Sequence, residues 1–236
     1  MSVSRAMLVS LGISLAGSIP VAAYRPFVST DAVVAGVREL EIELGLTALG
    51  RESDMGRRGV SAPALILNYG FTRNWELVGE FAVVHLEDSS VQDAAFFLKG
   101  VVREGVLQDC GGTSVAIEVG PLLPGTSESG VGVEGLFLVS RADAGFVYHL
   151  NVGAVRERNG AAGVLWGAIL ERQIGHGLRL VAELEGERIE GLAYESSLLG
   201  GFIWEVHSVA LDAGFRKRVS GASPGWQVTG GVTFSL

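Results

Sequence analysis

The chain has a single cysteine, Cys110, among 236 residues. One thiol excludes an intramolecular disulfide and any cysteine-based zinc cluster, and Cys110 reads as a passive turn residue. Nor is there an apolar run long enough for a transmembrane helix in the mature chain. Basic residues are outnumbered, 18 against 26 acidic, and the net charge of −8 argues against nucleic acid as a partner. His85, His149, His176 and His207 lack metal-ligand spacing. The glycine-rich GVGVEG is followed by no helical pattern, so nucleotide binding is excluded. No 20–50-residue repeat is visible. The expectation is no cofactor, no metal and no enzyme activity.

What remains is apolar and glycine-rich. Hydrophobic residues make up 48% of the chain and glycine 34 positions, without a collagen-like period. Residues 1–23 read as a secretory signal peptide. Arg5 supplies the positive charge, Ala6–Ala16 the short apolar stretch, and Val21-Ala22-Ala23 the small residues at a cleavage site. Residues 24–236 then form one unit with no internal boundary.

That unit is written in period two. In the last stretch, WQVTGGVTFSL, Trp226, Val228, Val232, Phe234 and Leu236 share one parity, and Gln227, Thr229, Thr233 and Ser235 share the other. A last strand with free edges is an aggregation hazard, and pairing it with the first strand closes a barrel. Its aromatic-then-apolar ending resembles the C-terminal signature of bacterial outer-membrane barrels, with Leu236 where phenylalanine is usual. About 12 such strands can be traced, each long enough to cross a bilayer at a tilt. Between them, short connections (GFTRN, RADAG, IGHG, the join near His207) alternate with longer polar ones, including His85–Val91; the CGGT connection is the exception. The predicted fold is all-β: an antiparallel up-and-down transmembrane barrel.

One parity is apolar and is expected to face lipid. The other collects Glu39, Glu41, Glu43, Glu76, Glu80, Glu118, Glu134, Glu171, Glu183, Glu185, Glu205 and Asp212 against Lys99, Arg103, Arg179 and Arg216. A packed core cannot bury so many ions unpaired, at several kcal/mol each. They must therefore face water, either in a lumen or on the outside of a soluble barrel. The signal peptide, loop pattern and C-terminus favour the lumen. The predicted lumen-lining residues are Glu39, Glu41, Glu43, Glu76, Glu80, Lys99, Arg103, Glu118, His149, Arg179, Glu183 and Glu185. Lys99 and Arg103 are expected to pair with acids such as Glu76 and Glu80 across strands. Phe97, Ile169, Leu199 and Ile203 also lean inward and predict a partly filled pore.

The segment YRPFVSTDAVVAGVRELEIELG resembles the opening of the outer-membrane family named for the MetA pathway of phenol degradation. LNYGFTRNWELVGE, FLKGVVRE and IEVGPLLPG are further echoes, in order. The resemblance implies an outer-membrane barrel that passes small, often aromatic, molecules; it carries no set of functional residues.

Three functions compete. The leading one is an outer-membrane channel for passive passage of small solutes, aromatic or hydrophobic ones included. The second is a non-conducting structural barrel. The third is a barrel lipid hydrolase, disfavoured because no serine is placed beside His149 and Asn151, while His207 and Ser208, being adjacent, point to opposite faces. Glu39, Glu41 and Glu43 could hold a divalent cation, but a solvated wall is the favoured reading. The expected partners are outer-membrane lipid and a small solute; the sequence names neither the solute nor the oligomeric state.

Overall fold

The computed structural model describes residues 25–51, 59–86, 89–126, 129–221 and 225–236. The signal-peptide reading lies outside them. Twelve strands among the described residues close one barrel in chain order. They are β1 (Leu40–Arg51), β2 (Gly59–Thr72), β3 (Trp75–Leu86), β4 (Ser89–Arg103), β5 (Ser114–Leu122), β6 (Gly132–Asp143), β7 (Phe146–Arg156), β8 (Ala162–Gly175), β9 (Leu178–Ile189), β10 (Glu195–Val206), β11 (Val209–Ser220) and β12 (Gly225–Ser235). Closure is made where expected: β1 and β12 pair antiparallel from Glu41↔Ser235 to Arg51↔Gly225. Every strand thus has two neighbours and no edge is left to recruit another chain.

Chain reversals at one end are tight. Ala144 and Gly145 both have positive φ, 50° and 80°, which suits the right-handed twist of the strands they join. The exception at that end lies between β4 and β5, where Val106–Gln108 forms one 3-10 turn. At the other end one expectation fails. His85, Leu86 and Ser89–Val91 belong to strands and not to a polar loop, because the β3–β4 ladder continues through Val84↔Val91, His85↔Ser90 and Leu86↔Ser89. A ladder that satisfies the backbone on both strands tolerates polar side chains, so composition there misplaced the ends.

The two faces separate as the period-two pattern predicts. Leu46, Leu77, Val102, Val152 and Leu180 stand exposed on the outside, with Trp204 and Trp226. Glu43, Glu76, Lys99 and Glu183 point inward and are almost fully buried. On β8, whose two faces are both apolar, Ile169 and Glu171 are the buried set and Leu170 is exposed. The interior is not a water column. Val181, Leu199, Ile203 and Ala210 form one apolar cluster with Phe27 against it. Ala32, Val101, Ala116 and Leu138 form another, with Val34 packed on it. Phe27, Ala32 and Val34 come from the segment that precedes β1.

Candidate functional site: a lumen occupied by the N-terminal segment

Residues 25–39 form no strand, yet Arg25, Ser29, Thr30, Ala32 and Ala35 are buried. A buried irregular backbone needs a partner for every N–H and C=O group. The wall supplies many of them. The Arg25 N–H donates to Glu43 at 3.3 Å. Those of Val28 and Ser29 donate to Glu183 at 3.1 and 2.7 Å. Thr30 is held by Asn151, Ala32 N–H donates to the Ser140 hydroxyl at 3.1 Å, and Ala35 N–H donates to Glu76 at 2.7 Å. Gln108, on the 3-10 turn, donates its amide to the Ala32 carbonyl at 2.7 Å. The long β4–β5 connection therefore reaches the segment as well.

Side chains complete the grip. The Arg25 guanidinium bonds Thr229 on β12 and lies 3.7 Å from the Asp212 carboxylate. Lys99 sits between Glu76, at 3.5 Å, and Asp31 of the segment, at 3.6 Å, and bonds the Thr30 hydroxyl at 3.2 Å. Arg216 joins Glu183 at 2.6 Å and Glu185 at 3.1 Å. The wall is shaped for this passenger: a Cβ on Gly45 would overlap the Arg25 guanidinium, and one on Gly167 would overlap the Ser29 side chain. Wall carboxylates that accept backbone N–H groups make charge-assisted bonds, roughly twice as strong as neutral ones. This gives the inward glutamates a role other than lining water.

Glu41, Glu43, Glu76, Lys99, Glu118, His149 and Glu183 are inside and buried. Arg179 and Glu185 are inside and ion-paired, Arg179 between Glu171 and Glu205 at 2.5 Å from each. Glu80 lines the space that the segment leaves open. Two residues lie elsewhere. Arg103 follows a β-bulge between Val101 and Arg103, which brings it opposite Val115 on the outward parity of β5. It is exposed and makes no pair with Glu76 or Glu80. Glu39 precedes β1, and its carboxylate accepts the Gly36 N–H at 2.9 Å, closing a turn outside the wall. The expectation of a watered wall also fails at Glu43, where the segment's Arg25 N–H takes the carboxylate.

The structure adds residues that the sequence pattern did not select. Ser140 stands opposite His149 across β6 and β7, with its hydroxyl 2.8 Å from Nδ1, and the Glu171 carboxylate is 3.6 Å from Nε2. A serine is thus beside His149, contrary to expectation. However, hydroxyl and carboxylate occupy the ring nitrogens in the reverse of a hydrolase triad. The hydroxyl also accepts the Ala32 N–H, and both Ser140 and His149 are buried. The trio anchors the segment. It could have been found only by knowing the β6–β7 register, because the two residues sit on different strands.

A cavity of about 380 Å³ remains between the segment and the β2–β6 wall. Phe27, Ile66, Val78, Phe97, Leu122 and Leu136 give it an apolar lining, and Glu80, Glu118 and Glu134 face it. Arg158 lies on its border and is bound to Asp93 and to the Leu123 and Ala94 carbonyls.

No family model and no curated protein matches the chain. Solved structures do match it. The KdgM porin in complex with disordered oligogalacturonate aligns with TM-score 0.64 and 9% identity, over 83% of this chain and 99% of that one. The NanC porin aligns with TM-score 0.60 and 10% identity, over 82% and 100%. An outer-membrane channel from Pseudomonas putida F1 aligns with TM-score 0.61 and 12% identity, over 87% and 97%. At these identities the likeness is one of fold: the chain has the barrel fold of outer-membrane porins and channels.

Proposed function

We propose that this chain is an outer-membrane channel for the passive passage of small solutes, and that its own N-terminal segment occupies the path in this state. The observation that carries the reading is the division of the wall. Its outside presents Leu, Val, Phe and Trp to the surroundings, while Glu43, Glu76, Lys99, Glu118 and Glu183 are buried inside. Only a hydrocarbon solvent makes that the stable arrangement for a closed barrel. The porin fold of its structural neighbours supports the same reading. The signal-peptide pattern at residues 1–23 supports delivery to the outer membrane. The resemblance of the YRPFVSTDAVV segment to the phenol-degradation family supports small aromatic or hydrophobic solutes.

Hydrolase chemistry is not proposed, because the Ser140 hydroxyl is committed to Ala32 and His149. The second reading, a non-conducting structural barrel, is favoured by one observation: the segment is bonded to the wall along its length, from Glu43 to Glu76. Single-channel recording of the purified mature protein in planar bilayers separates the two. Discrete openings support a channel. Silence, both in the wild type and in variants that free the segment, supports the structural barrel.

A further inference from the structure

We propose that the lumenal cavity between Phe27, Phe97 and the carboxylates of Glu80, Glu118 and Glu134 is a binding site for a compact organic cation, an ammonium group carried on an apolar body. The inference rests on the channel reading for the route by which such a solute arrives; the site itself stands on its own geometry.

The cavity joins two chemistries that no neutral solute and no anion uses together. Its apolar part is aliphatic and aromatic, from Ile66, Val78, Leu122 and Leu136 with the rings of Phe27 and Phe97. Its polar part is acidic. Glu80 on β3, Glu118 on β5 and Glu134 on β6 come from three strands and face the same space. They lie close enough for their charges to act on one another, Glu80 with Glu134 and Glu118 with Glu80. The nearby cations are already engaged. Arg158 is held by Asp93 and two backbone carbonyls. Lys99 stands opposite Glu118 across β4 and β5, but its ammonium is shared among Asp31, Glu76 and Thr30.

Glu118 is the most deeply buried of the three acids. It is only 7% exposed, and the surface it retains opens on the cavity. Among the described residues, none of the hydrogen bonds or ion pairs of the wall includes its carboxylate, whereas Glu43, Glu76 and Glu183 at comparable burial each have named partners. The cation near Glu118 is Lys99, whose charge reaches it but is already shared with Asp31 and Glu76. A carboxylate this buried with only a share of one ammonium is costly, and a bound cation supplies further charge. An ammonium set against aromatic rings gains further from the ring quadrupole. The volume suits a compact molecule.

The test uses the full mature protein in detergent micelles and three probes that share one shape: phenethylammonium, 2-phenylethanol and phenylacetate. Titration calorimetry is expected to show saturable one-to-one binding of the ammonium, with the alcohol at least about tenfold weaker and the acid undetected. Glu118→Gln is expected to weaken the ammonium about tenfold and leave the alcohol unchanged. Glu134→Gln, at a more open position, serves as the second variant should Glu118→Gln fail to give a heat-modifiable barrel on gels. Equal affinity for ammonium and alcohol, or ammonium binding untouched by both variants, overturns the site. Entry of phenethylammonium into vesicles carrying the protein is measured in parallel. Binding without entry, both in the wild type and in variants that free the segment, supports the site and overturns the channel reading; entry without saturable binding does the reverse.

Discussion

Asn151 holds the Thr30 peptide unit from both sides: its Oδ1 accepts the Thr30 N–H at 2.8 Å and its Nδ2 donates to the Thr30 carbonyl at 2.7 Å. Both residues are buried, so no water stands ready to replace either bond. Asn151→Leu therefore leaves two backbone groups unsatisfied, at about 1–3 kcal/mol each. The segment is expected to loosen while the barrel stays closed. Longer or more frequent openings in planar bilayers, with unchanged heat-modifiability on gels, are the measurement; conductance identical to wild type would mean that Asn151 does not hold the segment.

Lys99 is a fully buried cation serving the acids Glu76 and Asp31. Lys99→Met removes the charge and keeps much of the volume. It is expected to destabilise the protein by about 3–5 kcal/mol, the usual cost of leaving buried carboxylates unpaired. Adding Glu76→Gln should recover part of that loss. Urea unfolding of the refolded protein in vesicles measures both, and additive losses would show that the two residues act independently.

Leu180 and Val181 are neighbours on opposite faces. Leu180→Arg places a charge on the apolar exterior and should cost about 2–4 kcal/mol of insertion if it lies at the midplane. On sequence alone Val181→Arg would be harmless in a watered lumen. In the structure Val181 packs with Leu199 and Ile203, and Phe27 lies against them. The expected outcome is therefore an inserted barrel whose N-terminal segment is displaced. Folding yield into vesicles reads the first effect and protease access to residues 25–39 the second; a protected segment in Val181→Arg would refute the packing account.

Ion preference depends on the same segment. The interior carries more carboxylates than cations, and acidic linings favour cations. Once Asn151→Leu frees the path, the reversal potential in a salt gradient should show cation selectivity that fades as salt screens the field. Replacing Glu41 and Glu43 by Gln is not a clean probe of selectivity. Glu43 bonds both Arg25 and Asn68, so its loss should also loosen the segment. Anion selectivity in the freed protein would show that Lys99, Arg179 and Arg216 control the path.

Cys110 lies in the β4–β5 connection with its thiol 3.4 Å from the Glu104 carboxylate. The hydrogen bond to Glu104 pushes the thiol above its ordinary range, with burial and the carboxylate charge acting the same way. A raised thiol holds less thiolate at a given pH, so alkylation should be slow at neutral pH and its midpoint shifted upward. Glu104→Gln should speed the reaction. A rate equal to that of free cysteine in the wild type would rule out the bond in solution.

The wall was legible because alternation is a local signal. Leu178, Leu180 and Leu184 against Val181 and Glu183 can be sorted with no knowledge of the neighbouring strands, and so can the β1–β12 closure partners. What lies inside was not legible. Residues 25–39 have no period, and nothing local says that a mixed segment will turn inward. The one available signal was its length without secondary structure, which in an ordered chain demands partners for the backbone. The bulge at Arg103 escaped for a similar reason: it is a property of the β4–β5 register, and VVR reads as uninterrupted alternation. Ser140 beside His149, likewise, needs two strands to be seen.

Arg25 has a further consequence, for assembly. Its guanidinium binds Thr229, 204 residues away in the chain and on the last of the twelve strands. Thr229 pairs with Thr47 across the seam, and a slip of one residue there would turn Thr229 to the outside. Arg25 would then lose its hydroxyl acceptor inside the barrel. The head of the described chain thus proofreads its tail: correct register at the seam completes this bond, and a misaligned closure breaks it.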